Sequence, residues 1–357
     1  MRAYLIAILT ILFITPTLAH IASPEPAANG HVITLEIAAP SLQGNLLKTA
    51  SQQIAHVYLP PSYNQNSNRR YPVVYLLHGI FDSGKTWINF TDIPNKLDQL
   101  IASGKISEVI AVMPDAGNVH GGGFYRNSSV AGNWEDYVVD DLIQTIDARY
   151  RTIAKPGGRA VIGHSMGGYG AIHLAMQRPG VFSVVYAIAP AALDLTEDLN
   201  FGNAAWKRVA AFEELDELEA AVASFDFWAV APFSILTSFN PDPDNPPFYT
   251  RFPFQIVRGE VVLDQTEYNE LKMKFPLHHV ANSWDAFKSL RAFGIEYGVS
   301  DQFLHIPVAI AAFSSRLNEY RIPHRLEVLG GDHRNQLKAR IDTVILPYVV
   351  NALDQPE

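Results

Sequence analysis

Residues 163–168 read Gly-His-Ser-Met-Gly-Gly, a serine set between glycines at the spacing G-x-S-x-G. The pattern alone is common, but here it directly follows the apolar run RAVIG (159–163) and directly precedes the helix-forming stretch GGYGAIHLAM. A sharp strand-to-helix turn presents a serine hydroxyl in a strained conformation, with glycines where side chains would strike neighbouring strands. The helix N-terminus beneath it favours developing negative charge. Ser165 is therefore the candidate nucleophile; the bland alternative is a structural glycine-rich turn carrying an incidental serine.

A hydroxyl attacks only when a base takes its proton, and histidine suits that task because its pKa lies near working pH. Of the 12 histidines, His333 sits in GGDHRN directly after the run HRLEVL, where the base belongs in the chain order serine, acid, histidine. His305 and His324 lie on the wrong side of their strands, and the adjacent pair His278 and His279 suits neither a helical nor a strand-face metal site. The acid must lie just past a strand tip, where it can orient the imidazole. Asp301 follows FGIEYG and is the leading candidate; Asp194, past SVVYAIA, is its rival. Glu296 falls inside a strand, and Asp332 adjoins the base too closely to turn back onto its ring.

Two segments compete for the second backbone donor to an oxyanion, His78-Gly79-Ile80-Phe81 and His120-Gly121-Gly122-Gly123. The loop after the first central strand is the one that donates in this arrangement, which selects the N–H groups of Ile80 and Met166. The triple glycine falls one strand-helix unit too late and is expected to form a flexible loop at the rim.

These residues need a scaffold, and the hydropathy pattern supplies one. His31 to Pro60 alternates apolar and polar residues, as antiparallel edge strands do. From Tyr71 onward, short apolar runs recur: 73–77, 108–113, 159–163, 183–189, 293–298 and 324–329. Helical stretches at 93–103, 134–150, 166–178, 307–320 and 335–353 separate or follow them, the pattern of a mostly parallel sheet covered on both faces. Between Ala189 and Phe293 the rhythm breaks, and an inserted cap at about 191–290 is expected before the acid strand. Its aromatic residues, among them Phe225, Phe227, Trp228, Phe233 and Phe248, either shape an apolar pocket or merely fill the cap's own core.

Bulk properties narrow the function. With 27 basic and 36 acidic residues, a net charge of −9 and no basic stripe, nucleic acid is not an expected partner. There is no cysteine, hence no disulfide and no thiolate site. Residues 1–19 carry an early Arg2, an apolar run from Tyr4 to Ile14 and a small-residue ending, which reads as a secretory signal cleaved after Ala19. That run is shorter than the roughly 20 residues a membrane span needs. A secreted or periplasmic domain over 20–357, without a stable membrane span, is expected.

The segments VYLPPSY, RRYPVVYLLHG, GHSMGGYGA, GVSDQF and IPHRLEVLGGDHRN, taken in order, resemble the esterase family that includes S-formylglutathione hydrolase (esterase D), feruloyl esterases and the mycolyltransferases. The resemblance runs from about His31 to the C-terminus and implies the α/β-hydrolase fold, with Ser165 as nucleophile, His333 as base and Asp301 as acid. It implies acyl transfer from a small-molecule ester to water through an acyl-enzyme, with no metal or organic cofactor. The same machinery using an alcohol or sugar acceptor would make an acyltransferase. A secreted binding protein that keeps the fold without turnover is the remaining reading.

Overall fold

The computed structural model describes residues 29–334 and 337–356; the expected leader and its cleavage point lie outside the described residues. Eight strands form one sheet: β1 (His31–Ala38), β2 (Gln52–Leu59), β3 (Val73–Leu77), β4 (Ile110–Pro114), β5 (Arg159–His164), β6 (Val184–Ile188), β7 (Ala292–Gly298) and β8 (Arg325–Leu329). Their spatial order is β1-β2-β4-β3-β5-β6-β7-β8. Strands β4, β3 and β5–β8 are mutually parallel, while β2 is antiparallel to both β1 and β4. Only β1 is an edge strand at that end, because β4 crosses back to lie between β2 and β3.

The parallel strands are apolar along their whole length because both faces are covered. Val73, Tyr75 and Leu77 of β3 enter one core, and Val74 and Leu76 enter the other. The principal helices are α1 (Ile93–Ala102), α2 (134–149), α3 (Met166–Gln177), α4 (Phe227–Phe239), α5 (His305–Glu319) and α6 (337–350). Helices α2, α3 and α5 cover the first face; α1 and α6 cover the second. Among the described residues, no helix is long and apolar enough to cross a membrane.

The chain between β6 and β7 carries α4, several short helices and a two-stranded ribbon (Phe254–Val257 with Glu260–Leu263). Helix α4 is buried on every side from Ala229 to Phe239. Ile235, Leu236 and Phe239 join the main core, whereas Ala229, Val230 and Phe233 pack with Val209, Leu218 and Phe248 in a separate cluster. This helix is buried all round because it is clamped between two cores, and its Ser234 and Thr237 hydroxyls donate to the carbonyls of Gly122 and Phe233.

Strand order reverses at β3, whose neighbours β4 and β5 are reached by connections that leave in opposite directions. Loops diverging from such a point open a crevice at the carboxyl ends of the strands. The loop after β3 carries Ile80, and the turn after β5 carries Ser165. On the second face, Glu296 of β7 is 1% exposed and accepts hydrogen bonds from Tyr186 Oη (2.6 Å) and Arg340 Nε (3.0 Å), tying β6, β7 and α6 together. Arg340→Ala leaves that carboxylate short of its cationic partner and is expected to lower unfolding free energy by about 3 kcal/mol in urea titrations. A loss below about 1 kcal/mol would show that the pair does not hold these elements together.

Candidate active site

Ser165 has φ 57° and ψ −117°, a backbone conformation that non-glycine residues rarely adopt. The turn is held by main-chain hydrogen bonds: Ser165 N–H donates to Ile188 (2.9 Å), and the Ser165 carbonyl accepts from Tyr169 (3.0 Å) and Ala191 (3.1 Å). Space beneath it is so tight that a Cβ at Gly167 would overlap the Leu77 carbonyl. The serine thus projects from the tip of β5 at the N-terminus of α3, as the glycine spacing predicts.

His333 and Asp301 come together after β8 and β7. His333 Nδ1 lies 2.7 Å from Asp301 Oδ2, and because a carboxylate only accepts, Nδ1 carries the proton. The acid's other oxygen accepts from Phe303 N–H at 2.9 Å. Their loops are zipped by Val299 N–H to Leu329 (2.8 Å) and Ser300 N–H to Gly331 (2.9 Å). Ser165 and His333 line the same open cleft of about 390 Å³, together with Phe225, Phe227 and Phe303. In this geometry the hydroxyl makes no hydrogen bond to the imidazole, and the two side chains border one cavity.

The rival acid and the other histidines are committed elsewhere. Asp194 Oδ1 pairs with His278 Nε2 at 2.9 Å. His324 Nε2 meets Ser314 Oγ at 2.7 Å, and His305 Nδ1 meets Asp198 at 2.7 Å. Among the described residues, no group of three or more His, Cys, Asp or Glu is arranged to hold a metal ion.

Ile80 and Met166 also border the serine, lining a second, small pocket beside it. Neither main-chain N–H donates to an acceptor among the described residues, so both are free to meet an oxyanion. His78 braces the Ile80 loop: its Nδ1 donates to the Gly79 carbonyl (2.8 Å), and its Nε2 accepts from Ala116 N–H (2.8 Å). Burial holds this ring below its ordinary pKa, consistent with the neutral tautomer that the two bonds require.

One expectation is corrected. The segment His120-Gly121-Gly122-Gly123 is not a loop at the rim: His120 is 2% exposed, and the three glycines are buried. It packs directly behind the Ile80 loop, with Gly121 accepting from Phe81 N–H at 3.1 Å. A Cβ at Gly122 would overlap the Met166 thioether. Its glycines serve close approach, a role that strand counting does not reveal.

Sequence reasoning also passed over three neighbours of His333. His164, the first variable position of the serine motif, donates from Nε2 to the His333 carbonyl at 3.0 Å, with the rings 4.7 Å apart. Burial, aided by repulsion from His333, pushes its pKa well below the ordinary value, so it stays neutral. Gln302 accepts the His333 N–H at 3.3 Å, and Phe303 sets its ring edge-on to the imidazole at 4.9 Å. Only the position of His164 inside the motif could have signalled any of these.

Comparison with known proteins places the chain. A family profile described as "Putative esterase" matches residues 50–230 of the 357, a span holding Ile80, Ser165 and Met166 but not Asp301 or His333. An esterase of Mycobacterium tuberculosis is 40% identical over 132 residues, 36% of this chain and 27% of that protein. S-formylglutathione hydrolase of Mus musculus is 31% identical over 154 residues, 38% of this chain and 50% of that enzyme. The chain thus matches half or less of the length of these relatives. A solved ferulic acid esterase superposes with a TM-score of 0.64 at 20% identity, covering 92% of this chain and all of that one, which shows the α/β-hydrolase fold.

Two outcomes follow from the packing. Gly167→Ala is expected to cost about 1–3 kcal/mol through overlap with Leu77 and to abolish fluorophosphonate labelling of Ser165; unimpaired labelling would mean the turn tolerates a side chain. Burial also holds His120 and His173 down to about 4. The unfolded chain therefore binds protons at pH 6.5 that the native chain refuses until pH 4, and stability should fall as pH drops through that window. Urea unfolding at pH 7 and pH 5 measures it, and an Asn at either position should flatten the dependence.

Proposed function

The chain belongs to the "Putative esterase" family, and we propose that it is a serine hydrolase that cleaves carboxylic esters through an acyl-enzyme. The observation that carries the reading is the 2.7 Å contact between His333 and the buried Asp301, in the cleft that Ser165 shares. Ser165 attacks the ester carbonyl while His333 Nε2 takes its proton. Asp301 keeps the imidazole in the Nδ1–H tautomer and stabilises the imidazolium that forms. The oxyanion rests on the N–H groups of Ile80 and Met166, the second at the positive end of α3. His333 returns the proton to the leaving oxygen, then activates water for deacylation.

The two cavities beside Ser165 divide the substrate. His333 lines the large cleft and not the small pocket, so the alcohol it must protonate leaves through the cleft. The acyl group then enters the small pocket, whose volume of about 20 Å³ has room for little more than one water. A short acyl chain on a bulky or aromatic alcohol fits this division, with Phe225, Phe227 and Phe303 facing the alcohol. The cleft is wide enough for an acceptor alcohol to follow the leaving one; added methanol should then divert acyl-enzyme to methyl ester if transfer competes with hydrolysis. The leader-like residues 1–19 support export, which N-terminal sequencing of secreted protein starting at His20 would establish.

The test is kcat/KM on p-nitrophenyl esters from acetate to palmitate. Turnover should fall at least about tenfold between acetate and butyrate, and Ser165→Ala and Asp301→Asn should each lose roughly a thousandfold or more. Full activity in Ser165→Ala sinks the mechanism, and a maximum at long chains places the acyl group in the aromatic cleft instead.

A further inference from the structure

A second histidine shares with Ser165 the small pocket that His333 does not line. His305 opens α5 and is 2% exposed. Asp198, from the segment between β6 and β7, accepts from the main-chain N–H groups of Leu304 and His305, each at 2.8 Å, and from His305 Nδ1 at 2.7 Å. The carboxylate therefore caps α5 and fixes the ring at once. Burial alone would raise the Asp198 pKa, but the His305 ring and the two N–H groups outweigh it and hold the group ionised. With Nδ1–H committed, the ring's other nitrogen is left to bind something else.

That nitrogen, Nε2, is buried and has no hydrogen-bond partner. His305 lines the small pocket together with Ser165, Ile80 and Met166, and apart from Ser165 the remaining walls, such as Phe124, Ala231 and Ile235, are apolar. A buried polar atom without a partner costs free energy unless one arrives, and His305 and Ser165 are the two residues with polar side chains that line this pocket. The pocket is too small for much beyond one or two heavy atoms past the carbonyl carbon.

We propose that His305 is a specificity-determining residue of the acyl subsite, selecting esters of the smallest hydroxyacyl group, glycolyl, over alkyl acyl groups of equal size. The inference rests on the reading of Ser165 as nucleophile and of the small pocket as the acyl side. A hydroxyl satisfies Nε2 in either protonation state, donating to the lone pair of the neutral ring or accepting from the N–H of the charged one. An alkyl group fills the same space but leaves Nε2 unpaired, which sets an expected preference of roughly tenfold to a hundredfold.

The experiment compares kcat/KM for ethyl glycolate, ethyl propionate and ethyl methoxyacetate by pH-stat, each divided by its rate with hydroxide alone to remove electronic effects. Glycolate and propionate differ only by hydroxyl for methyl; methoxyacetate keeps the electron withdrawal but cannot donate. Wild-type protein should prefer glycolate over both by at least tenfold. His305→Phe should bring the glycolate-to-propionate ratio to that of hydroxide, and His305→Gln, which can still hydrogen-bond, should retain part of it. Equal normalised rates for glycolate and propionate in the wild type overturn the proposal whether or not the variants fold. So does failure to cleave all three while p-nitrophenyl acetate is cleaved. Ser165→Ala run beside them separates the failures: an active Ser165→Ala sinks the mechanism, whereas an inactive one with no hydroxyl preference sinks only the role of His305.

Discussion

The backbone at Ser165 sits in a conformation that costs on the order of 1–3 kcal/mol for a residue with a side chain. It persists because main-chain bonds to Ile188, Tyr169 and Ala191 over-determine it and because Gly167 lets α3 press against the end of β3. Much else depends on that close approach. It fixes where the N-terminus of α3 points and leaves the Met166 N–H beside the serine. It also brings the β3 loop, with Ile80, to the same small pocket. The buried glycines at 121–123 extend the same principle outward, since a side chain at Gly122 would push into Met166.

Histidines crowd this region, and burial sorts them. His78, His120, His164 and His173 are all held below their ordinary pKa chiefly by desolvation, and they act as neutral hydrogen-bonding struts. His164 props the His333 backbone, and His78 props the loop of Ile80. His333 differs because its Nδ1 meets a buried carboxylate while its ring still borders an open cleft. His305 meets a carboxylate of its own, Asp198, and borders the small pocket instead of the open cleft, which suits recognition better than proton exchange with water.

The segment between β6 and β7 contributes to both substrate walls. Helix α4 could not be buried on all sides by the sheet alone; the cluster around Phe233 and Phe248 covers its outer face. The aromatic residues of this segment divide accordingly. Phe233 and Phe248 are core, whereas Phe225 and Phe227 border the cleft, so neither of the two readings of those aromatics holds for the whole set.

The amino-acid sequence by itself determined the layered α/β architecture, because parallel strands covered on both faces must be written as short apolar runs, and each of the six runs is a strand. It also determined the place of Ser165, since a strand, a glycine-flanked serine and a helix in direct succession leave little other geometry. Local patterns carry such features because they involve neighbours in the chain. Tertiary structure alone decided that Asp301, and not Asp194, reaches His333, for that depends on which of two loop tips folds over β8, and Asp194 is drawn to His278 instead. It alone decided that the triple glycine is buried and that Asp198 and His305, 107 positions apart, form a pair beside the serine. Contacts between residues so distant in sequence arise from packing, which no spacing rule records.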